Sequence, residues 1–167
     1  QDPVGLAMNL AVAFWGGLTV IPVFLIANRL FGKTAAVGAG FLMAVSAPHI
    51  QRSIFGFADH DATTMFFITL AFYFVVRALD EIKAGTYIHN FSTIGSGLQK
   101  ALAENKMAMA YATLAGTVLA ASALTWKGYP YAIGVLGIAM SFQLLVDNIR
   151  HKDGTVATLV YLTVAAL

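Results

Sequence analysis

The sequence predicts an all-α membrane protein, built as a polytopic bundle of transmembrane helices. Hydrophobic residues make up 59% of the 167 residues, and charged residues only 11%. A soluble domain carries about 25% charged residues, so a chain this poor in charge, with a mean hydropathy of +0.76, is typical of a protein embedded in the lipid bilayer. The apolar residues also form runs that approach or exceed the length needed to cross the hydrocarbon core, separated by short polar stretches.

Composition also excludes several kinds of site. The chain has no cysteine, which rules out disulfides and thiolate metal sites within it. The formal net charge of +2 is too small to indicate a nucleic-acid partner, and we expect none. The useful quantity is the distribution of charge along the chain.

The first three predicted spans flank one short acidic loop. The first, residues 4–31, is long enough to cross the bilayer with tilt, and Pro22 predicts a kink in it. The second, residues 34–50, is rich in alanine and glycine, which let helix backbones approach closely in lipid. The third, residues 62–79, is bulky and aromatic, a surface that suits lipid. Residues 51–61 form the loop between the second and third spans.

The second half of the chain predicts two further spans and part of another. Residues 80–106 form the longest polar stretch, interpreted as a loop followed by a short amphipathic helix. Residues 107–126 and 129–146 are the fourth and fifth spans. Residues 155–167 end short of the roughly 20 apolar residues that a span needs. The start of the chain carries neither an initiator methionine nor a signal peptide. We therefore expect a fragment of a longer membrane protein.

Lysine and arginine are distributed unequally between the two sides of this topology. Alternating the loops places eight of the ten basic residues on one side, whereas Arg52 and Lys127 fall on the other. Basic residues favour the cytoplasmic side, so the loop 51–61 is predicted to face outside the cell membrane. The eight residues of the cytoplasmic side are Arg29, Lys33, Arg77, Lys83, Lys100, Lys106, Arg150 and Lys152.

The acidic loop contains the candidate site. In an extended turn, Asp59 and Asp61 can aim both carboxylates at one cation, and Arg52 lies seven residues upstream of the first. A second interpretation fits the same spacing: Asp61 caps the helix that follows, and the loop is simply solvated. His49 and His60 could ligate a metal or be solvated. Both interpretations remain open on spacing alone.

The motif that starts at Arg52 resembles a known family. The pattern Arg-Ser-x-x-Gly-x-x-Asp-x-Asp runs from Arg52 to Asp61, after a small-residue helix and before an aromatic one. It resembles the second acidic motif of the oligosaccharyltransferase catalytic subunit, and the archaeal single-subunit version is most similar. The stretch from Thr125 to Pro130 resembles the Trp-x-Gly-Tyr turn of that family. The resemblance covers most of the chain and implies a fold of the GT-C membrane glycosyltransferase type.

The resemblance implies a function and roles for three residues. The family transfers a glycan from a lipid-linked, dolichol-type phosphate carrier to asparagine in the sequon of acceptor proteins, which is N-glycosylation. Asp59 would then be a ligand of a catalytic Mn²⁺ or Mg²⁺. Asp61 would support metal binding directly or through the ligands, and Arg52 would orient the acidic loop or the acceptor.

Other parts of the family's active site would lie outside this chain, and other functions stay open. The first-loop carboxylate would precede Gln1, and a later loop glutamate and the Trp-Trp-Asp-Tyr-Gly domain would follow Leu167. We therefore expect the fragment alone to be inactive. An ion-coupled transporter could use Asp59 and Asp61 for its coupling ion, although such carboxylates usually lie near the bilayer midplane. Another membrane glycosyltransferase that uses polyprenyl-phosphate sugars is the third candidate.

Overall fold

The protein is helical in the part of the chain that the structure describes. The computed structural model describes residues 2–56, 59–88 and 91–167, and within these ranges it contains helices and loops but no strand. The all-α prediction is confirmed. The helices are α1 (Pro3–Phe31), α2 (Lys33–Val45), α3 (Ala47–Ser53), α4 (Asp61–Asp80), α5 (Ile94–Glu104), α6 (Lys106–Ala123), α7 (Pro130–Ile149) and α8 (Thr155–Ala166), with a 3₁₀ turn at Phe91–Thr93.

Three of these helices are long and apolar enough to cross a membrane. They are α1, α4 and α7, which correspond to the first, third and fifth predicted spans. The helices α2 and α8 are apolar but shorter. A helix needs about 20 apolar residues to cross the hydrocarbon core. By this criterion, three of the five predicted full spans stand as single long helices, and the polytopic prediction is confirmed.

The predicted span 34–50 is two helices rather than one, and this corrects its boundaries. The chain leaves helical geometry at Ser46, where ψ is 116°, and α3 then starts with Pro48 in its first turn. In a continuous helix, the Pro48 ring would clash with the carbonyl of Ala44, and a hydrogen bond would be lost. At the start of a new helix proline is well tolerated, because the first N–H groups have no partner there. The break gives α3 its own direction.

The chain forms two compact units, Gln1–Tyr73 with Val118–Lys127, and Phe74–Thr117 with Gly128–Leu167. In the first unit, α1 and α2 form a hairpin joined at Gly32, whose φ of 86° lies in the region that favours glycine. Gly40 of α2 packs against Val20 and Phe24 of α1 at ordinary van der Waals distance. Small residues therefore let these two helices pack closely, as their composition predicts.

In the second unit, a buried asparagine organises the polar stretch. The Asn105 side chain accepts a hydrogen bond from the backbone N–H of Lys83 at 2.8 Å and donates one to the Tyr87 hydroxyl at 2.9 Å. Tyr87 packs with Ala101 and Val156 in a small apolar core. Buried polar groups need such partners, so this network fixes the loop against α5 and α8.

Asp153 fixes the same loop to the start of α8. Its carboxylate accepts hydrogen bonds from the backbone N–H of Tyr87 at 2.6 Å and of Thr155 at 2.7 Å. Partial burial raises the pKa of Asp153, but hydrogen bonds from the Thr155 side chain and three backbone N–H groups outweigh it. The pKa therefore lies below its ordinary value of 3.8.

This depressed pKa predicts a pH-dependent contribution to stability. A carboxyl whose pKa is lower in the folded state stabilises that state above its unfolded pKa, and the contribution is lost as the pH falls through the folded value. We expect Asp153→Asn to lower the unfolding temperature at pH 7 and to have no effect well below pH 3.8. The control is Asp147→Asn, because the Asp147 side chain accepts a hydrogen bond from Gln143 in its own helix. Equal effects of Asp153→Asn at both pH values would contradict this prediction.

Candidate metal centre

The site is formed where α3 ends and α4 begins. Arg52 lies in the last turn of α3, and Asp61 is the first residue of α4. Between them the chain turns at Gly56, whose φ of 98° is a conformation that L side chains rarely adopt. The glycine of the motif is therefore required by the backbone. Residues 57 and 58 of the predicted loop 51–61 lie outside the described part of the chain.

The structure brings the three predicted site residues together. The Nη1 atom of Arg52 lies 3.1 Å from Oδ2 of Asp61 and 3.5 Å from Oδ2 of Asp59. One guanidinium group therefore bridges both carboxylates. The side chains of Asp59 and Asp61 are 29% and 39% exposed, so the charges are partly hydrated. Each ion pair is consequently worth less than about 1 kcal/mol by itself.

His60 joins the same cluster, which spacing alone left undecided. Its backbone N–H donates to Oδ1 of Asp59 at 2.7 Å, and its Nδ1 lies 2.7 Å from the same oxygen. Its Nε2 lies 3.7 Å from Oδ1 of Asp61. The imidazole therefore lies between the two carboxylates. The feature of the sequence that indicates this role is the position of His60 between the two aspartates of the Asp-x-Asp pattern. His49 contacts a different part of the fold.

The donor atoms fit a divalent cation. One ligand atom from each of Asp59, His60 and Asp61 can be chosen so that all three lie within 4.8 Å of one another. Carboxylate oxygens suit Mg²⁺ and Mn²⁺, and an added imidazole nitrogen favours Mn²⁺ over Mg²⁺. The two aspartates already share one positive group, the guanidinium of Arg52, as they would share a metal. The geometry thus suits a cation site, while the roles of these residues stay predictions.

A second loop is attached to α4 one turn after Asp61. The Oγ1 atoms of Thr64 and Thr125 lie 3.1 Å apart, and the Thr125 hydroxyl donates to the carbonyl of Ser122. Because that hydroxyl has only one hydrogen, Thr64 must be the donor to Thr125. This bond ties the turn that carries Trp126 and Lys127 to the start of α4.

Breaking this bond is expected to destabilise the first unit. Thr64 is 7% exposed, so Thr64→Val keeps the shape and removes a buried donor, leaving Thr125 without this partner. The expected loss in free energy of unfolding is about 1–3 kcal/mol. The matched control is Thr69→Val, because the Thr69 hydroxyl donates only within its own helix, to the Met65 carbonyl. Unfolding measurements on the purified protein should separate the two variants; equal stabilities would contradict the linking role.

The helical fold and the acidic cluster define a polytopic membrane protein with a candidate cation centre, and sequence comparison identifies the family. The family model described as oligosaccharyl transferase STT3, N-terminal, matches residues 6–167. The chain belongs to this family. The resemblance carried by the motif from Arg52 to Asp61 is therefore confirmed, and an ion-coupled transporter is not favoured.

Individual relatives agree with this assignment. The chain is 29% identical over 154 residues, 92% of its length, to the dolichyl-monophosphooligosaccharide–protein glycotransferase AglB of Haloferax volcanii. It is 30% identical over 160 residues, 93% of its length, to the dolichyl-phosphooligosaccharide-protein glycotransferase 3 of Archaeoglobus fulgidus. It is 29% identical over 153 residues, 87% of its length, to YkcB of Bacillus subtilis, provisionally named a mannosyltransferase.

The chain covers only a small part of these relatives. It spans 14% of the Haloferax volcanii protein, 17% of the Archaeoglobus fulgidus protein and 20% of the Bacillus subtilis protein. No solved structure matches the chain significantly.

Proposed function

We propose that the protein containing this chain transfers a glycan from a dolichol-type phosphate carrier to asparagine in acceptor proteins. The observation that carries the proposal is the pair Asp59 and Asp61, bridged by Arg52, within a chain of this family. The names of the two archaeal relatives describe glycan transfer to protein from a dolichyl phosphate or monophosphate donor. The lipid-linked oligosaccharide and the acceptor sequon are the proposed partners.

The residues of the site have distinct tasks in this proposal. A bound Mn²⁺ or Mg²⁺ would act as a Lewis acid that stabilises the negative charge of the departing phosphate. Asp59 and Asp61 would hold the cation, with His60 as a further donor. Arg52 would keep the two carboxylates turned toward one point. Asp61 also places a negative charge in the first turn of α4, where the helix dipole favours it.

Transfer assays with two donors and two acceptors test the proposal. The full-length protein in lipid is given an oligosaccharide on dolichyl phosphate and a peptide containing Asn-x-Thr, with a Gln-x-Thr peptide as control. Transfer to the asparagine peptide alone is expected. The second donor is a single sugar on a polyprenyl phosphate. Transfer of that sugar to either peptide or to lipid, without oligosaccharide transfer, would instead favour a membrane glycosyltransferase that uses polyprenyl-phosphate sugars.

The orientation of the acidic loop is a separate prediction. The eight-to-two distribution of basic residues places this loop outside and the polar stretch 80–106 inside. Single cysteines at Ile54, which is 55% exposed, and at exposed Ser92 should therefore react with an impermeant thiol reagent from opposite sides of sealed membranes. Ile54→Cys should react from the outside. Labelling of both positions from one side would contradict the topology and with it the external site.

A further inference from the structure

The position of Arg52 depends on a helix too short to be stable alone. Helix α3 has seven residues, and isolated helices of this length do not persist in water because nucleation costs more than so few hydrogen bonds return. Its direction and depth must therefore come from contacts with other parts of the protein. In the structure α3 contacts both α1 and its neighbour α2, and the contact with α1 is the more extensive.

Two residues on one face of α3 contact α1 at Gly16. His49 and Ser53 are four residues apart, so they lie on the same side of the helix. The imidazole Nε2 of His49 donates to the Gly16 carbonyl at 3.0 Å, since a carbonyl can only accept. The Ser53 hydroxyl donates to the carbonyl of His49 at 2.7 Å. The contact thus combines a hydrogen bond with close packing.

The packing leaves no room for a side chain at Gly16. A Cβ atom there would overlap with Cβ of Ser53 and lie 2.8 Å from its hydroxyl oxygen, far inside van der Waals contact. The neighbouring Gly17 has nothing within 4 Å of the same position. Only the first of the two adjacent glycines is therefore needed for the approach of α3.

The lengths of the helices explain why the contact falls at Gly16. Helix α2 has 13 residues and runs back along α1 for about 20 Å at 1.5 Å per residue. The same rise, counted back along α1 from its end at Phe31, places Gly16 about 22 Å from that end. The break at Ser46 then turns the chain into α3 at this level.

We propose that Gly16, His49 and Ser53 act as positioning residues that hold Arg52 over the acid pair. Arg52 directly precedes Ser53, so it lies about 100° around the helix from the face that contacts α1. Its guanidinium reaches Asp59 and Asp61 from there. The packing of α1 against α3 therefore fixes the position of the positive charge of Arg52 at the cation site. This inference rests on the proposed function of that site.

A set of variants in the full-length protein tests the inference. Gly16→Ala adds the clashing methyl group, and Gly17→Ala adds the same group to open space with the same gain in helix propensity. Ser53→Gly combined with Gly16→Ala removes the Cβ that clashes, whereas Ser53→Ala keeps it. Each variant is assayed for glycan transfer and, without donor, for Mn²⁺ affinity by electron paramagnetic resonance. Arg52→Gln is measured alone and with Gly16→Ala.

We expect Gly16→Ala to slow transfer at least about tenfold and to change Mn²⁺ affinity in the same direction as Arg52→Gln. Gly17→Ala should stay within about twofold of wild type, and only Ser53→Gly should restore the Gly16→Ala protein. In the Arg52→Gln background, Gly16→Ala should have little further effect, because its effect acts through Arg52. If the double variant instead lost transfer activity by the product of the two single losses, Gly16→Ala would act independently of Arg52. That result would show general disruption and overturn the inference.

Two further outcomes separate the inference from the proposed function. If Arg52→Gln impairs transfer but Gly16→Ala behaves like Gly17→Ala, the positioning role is wrong and the proposed site survives. If Arg52→Gln changes neither transfer nor Mn²⁺ affinity, the proposed role of the acidic loop fails and the positioning role fails with it.

Discussion

Asp59→Ala is expected to lower glycan transfer by at least about 10²–10³-fold while the protein still inserts and folds. The effect of removing one group that stabilises developing charge in an active site is of this size. Asp59 is partly exposed and lies outside the described helices, so its loss removes little packing. The measurement is the transfer rate across a range of Mn²⁺ and Mg²⁺ concentrations in the full-length protein.

Asp61 separates the catalytic interpretation from the structural one. As the first residue of α4 it places a negative charge at the positive end of the helix dipole, and losing such a charge costs about 0.3–1 kcal/mol. We expect Asp61→Ala to impair transfer severely and Asp61→Glu to retain part of the activity, because a glutamate still offers a carboxylate to the cation and to Arg52.

The control for both aspartates is Glu104→Ala. Glu104 is a surface carboxylate at 4.0 Å from Lys100 in the same helix. Its removal changes the net charge equally without touching the site. Full activity of Asp59→Ala at every metal concentration would contradict the cation site. Loss of folded protein in both aspartate variants would favour the structural interpretation.

Arg52→Gln is expected to tighten cation binding while slowing transfer. The guanidinium lies within 3.5 Å of oxygens in both carboxylates, so it repels a divalent cation at the same oxygens. Each exposed ion pair is worth about 0.2–1 kcal/mol, so losing two should raise Mn²⁺ affinity by roughly two- to thirtyfold. Transfer should fall because the carboxylates lose the group that aligns them.

Arg52→Lys is the informative companion variant. Lysine keeps the charge but is a compact point charge without the planar guanidinium group, whose Nη1 atom contacts both carboxylates in Arg52. We expect Mn²⁺ affinity near that of wild type and a transfer rate between those of wild type and Arg52→Gln. Weaker Mn²⁺ binding in Arg52→Gln would mean that the guanidinium assembles the site rather than competing with the cation.

The parts of the site that the sequence predicts are those close together in the chain. Arg52, Gly56, Asp59 and Asp61 lie within ten residues, and the φ of Gly56 shows why a glycine stands there. Apolar composition likewise predicts the helices, because burial in lipid requires long apolar runs. Ser46 and Pro48 indicate a loosened end of the predicted span 34–50, but they do not show that a separate helix begins there.

The contacts that hold the site in place join residues far apart in the chain. Gly16 and His49 are 33 residues apart, and Thr64 and Thr125 are 61 apart. A single sequence shows that each residue is small or polar, but not which partner it meets. His60 is predictable only in part. The sequence places it between Asp59 and Asp61, but the direction of its imidazole depends on the fold of the loop.

Direct measurement of Mn²⁺ binding tests the central claim, that the acidic loop is a divalent-cation site. The full-length wild-type protein and the Asp59→Ala/Asp61→Ala double variant are titrated with Mn²⁺ by electron paramagnetic resonance, without donor or acceptor. We expect the double variant to lose at least about tenfold in affinity relative to wild type, because the carboxylates that supply its hard ligands are gone. Equal Mn²⁺ affinity in the two proteins, both folded, would contradict the claim.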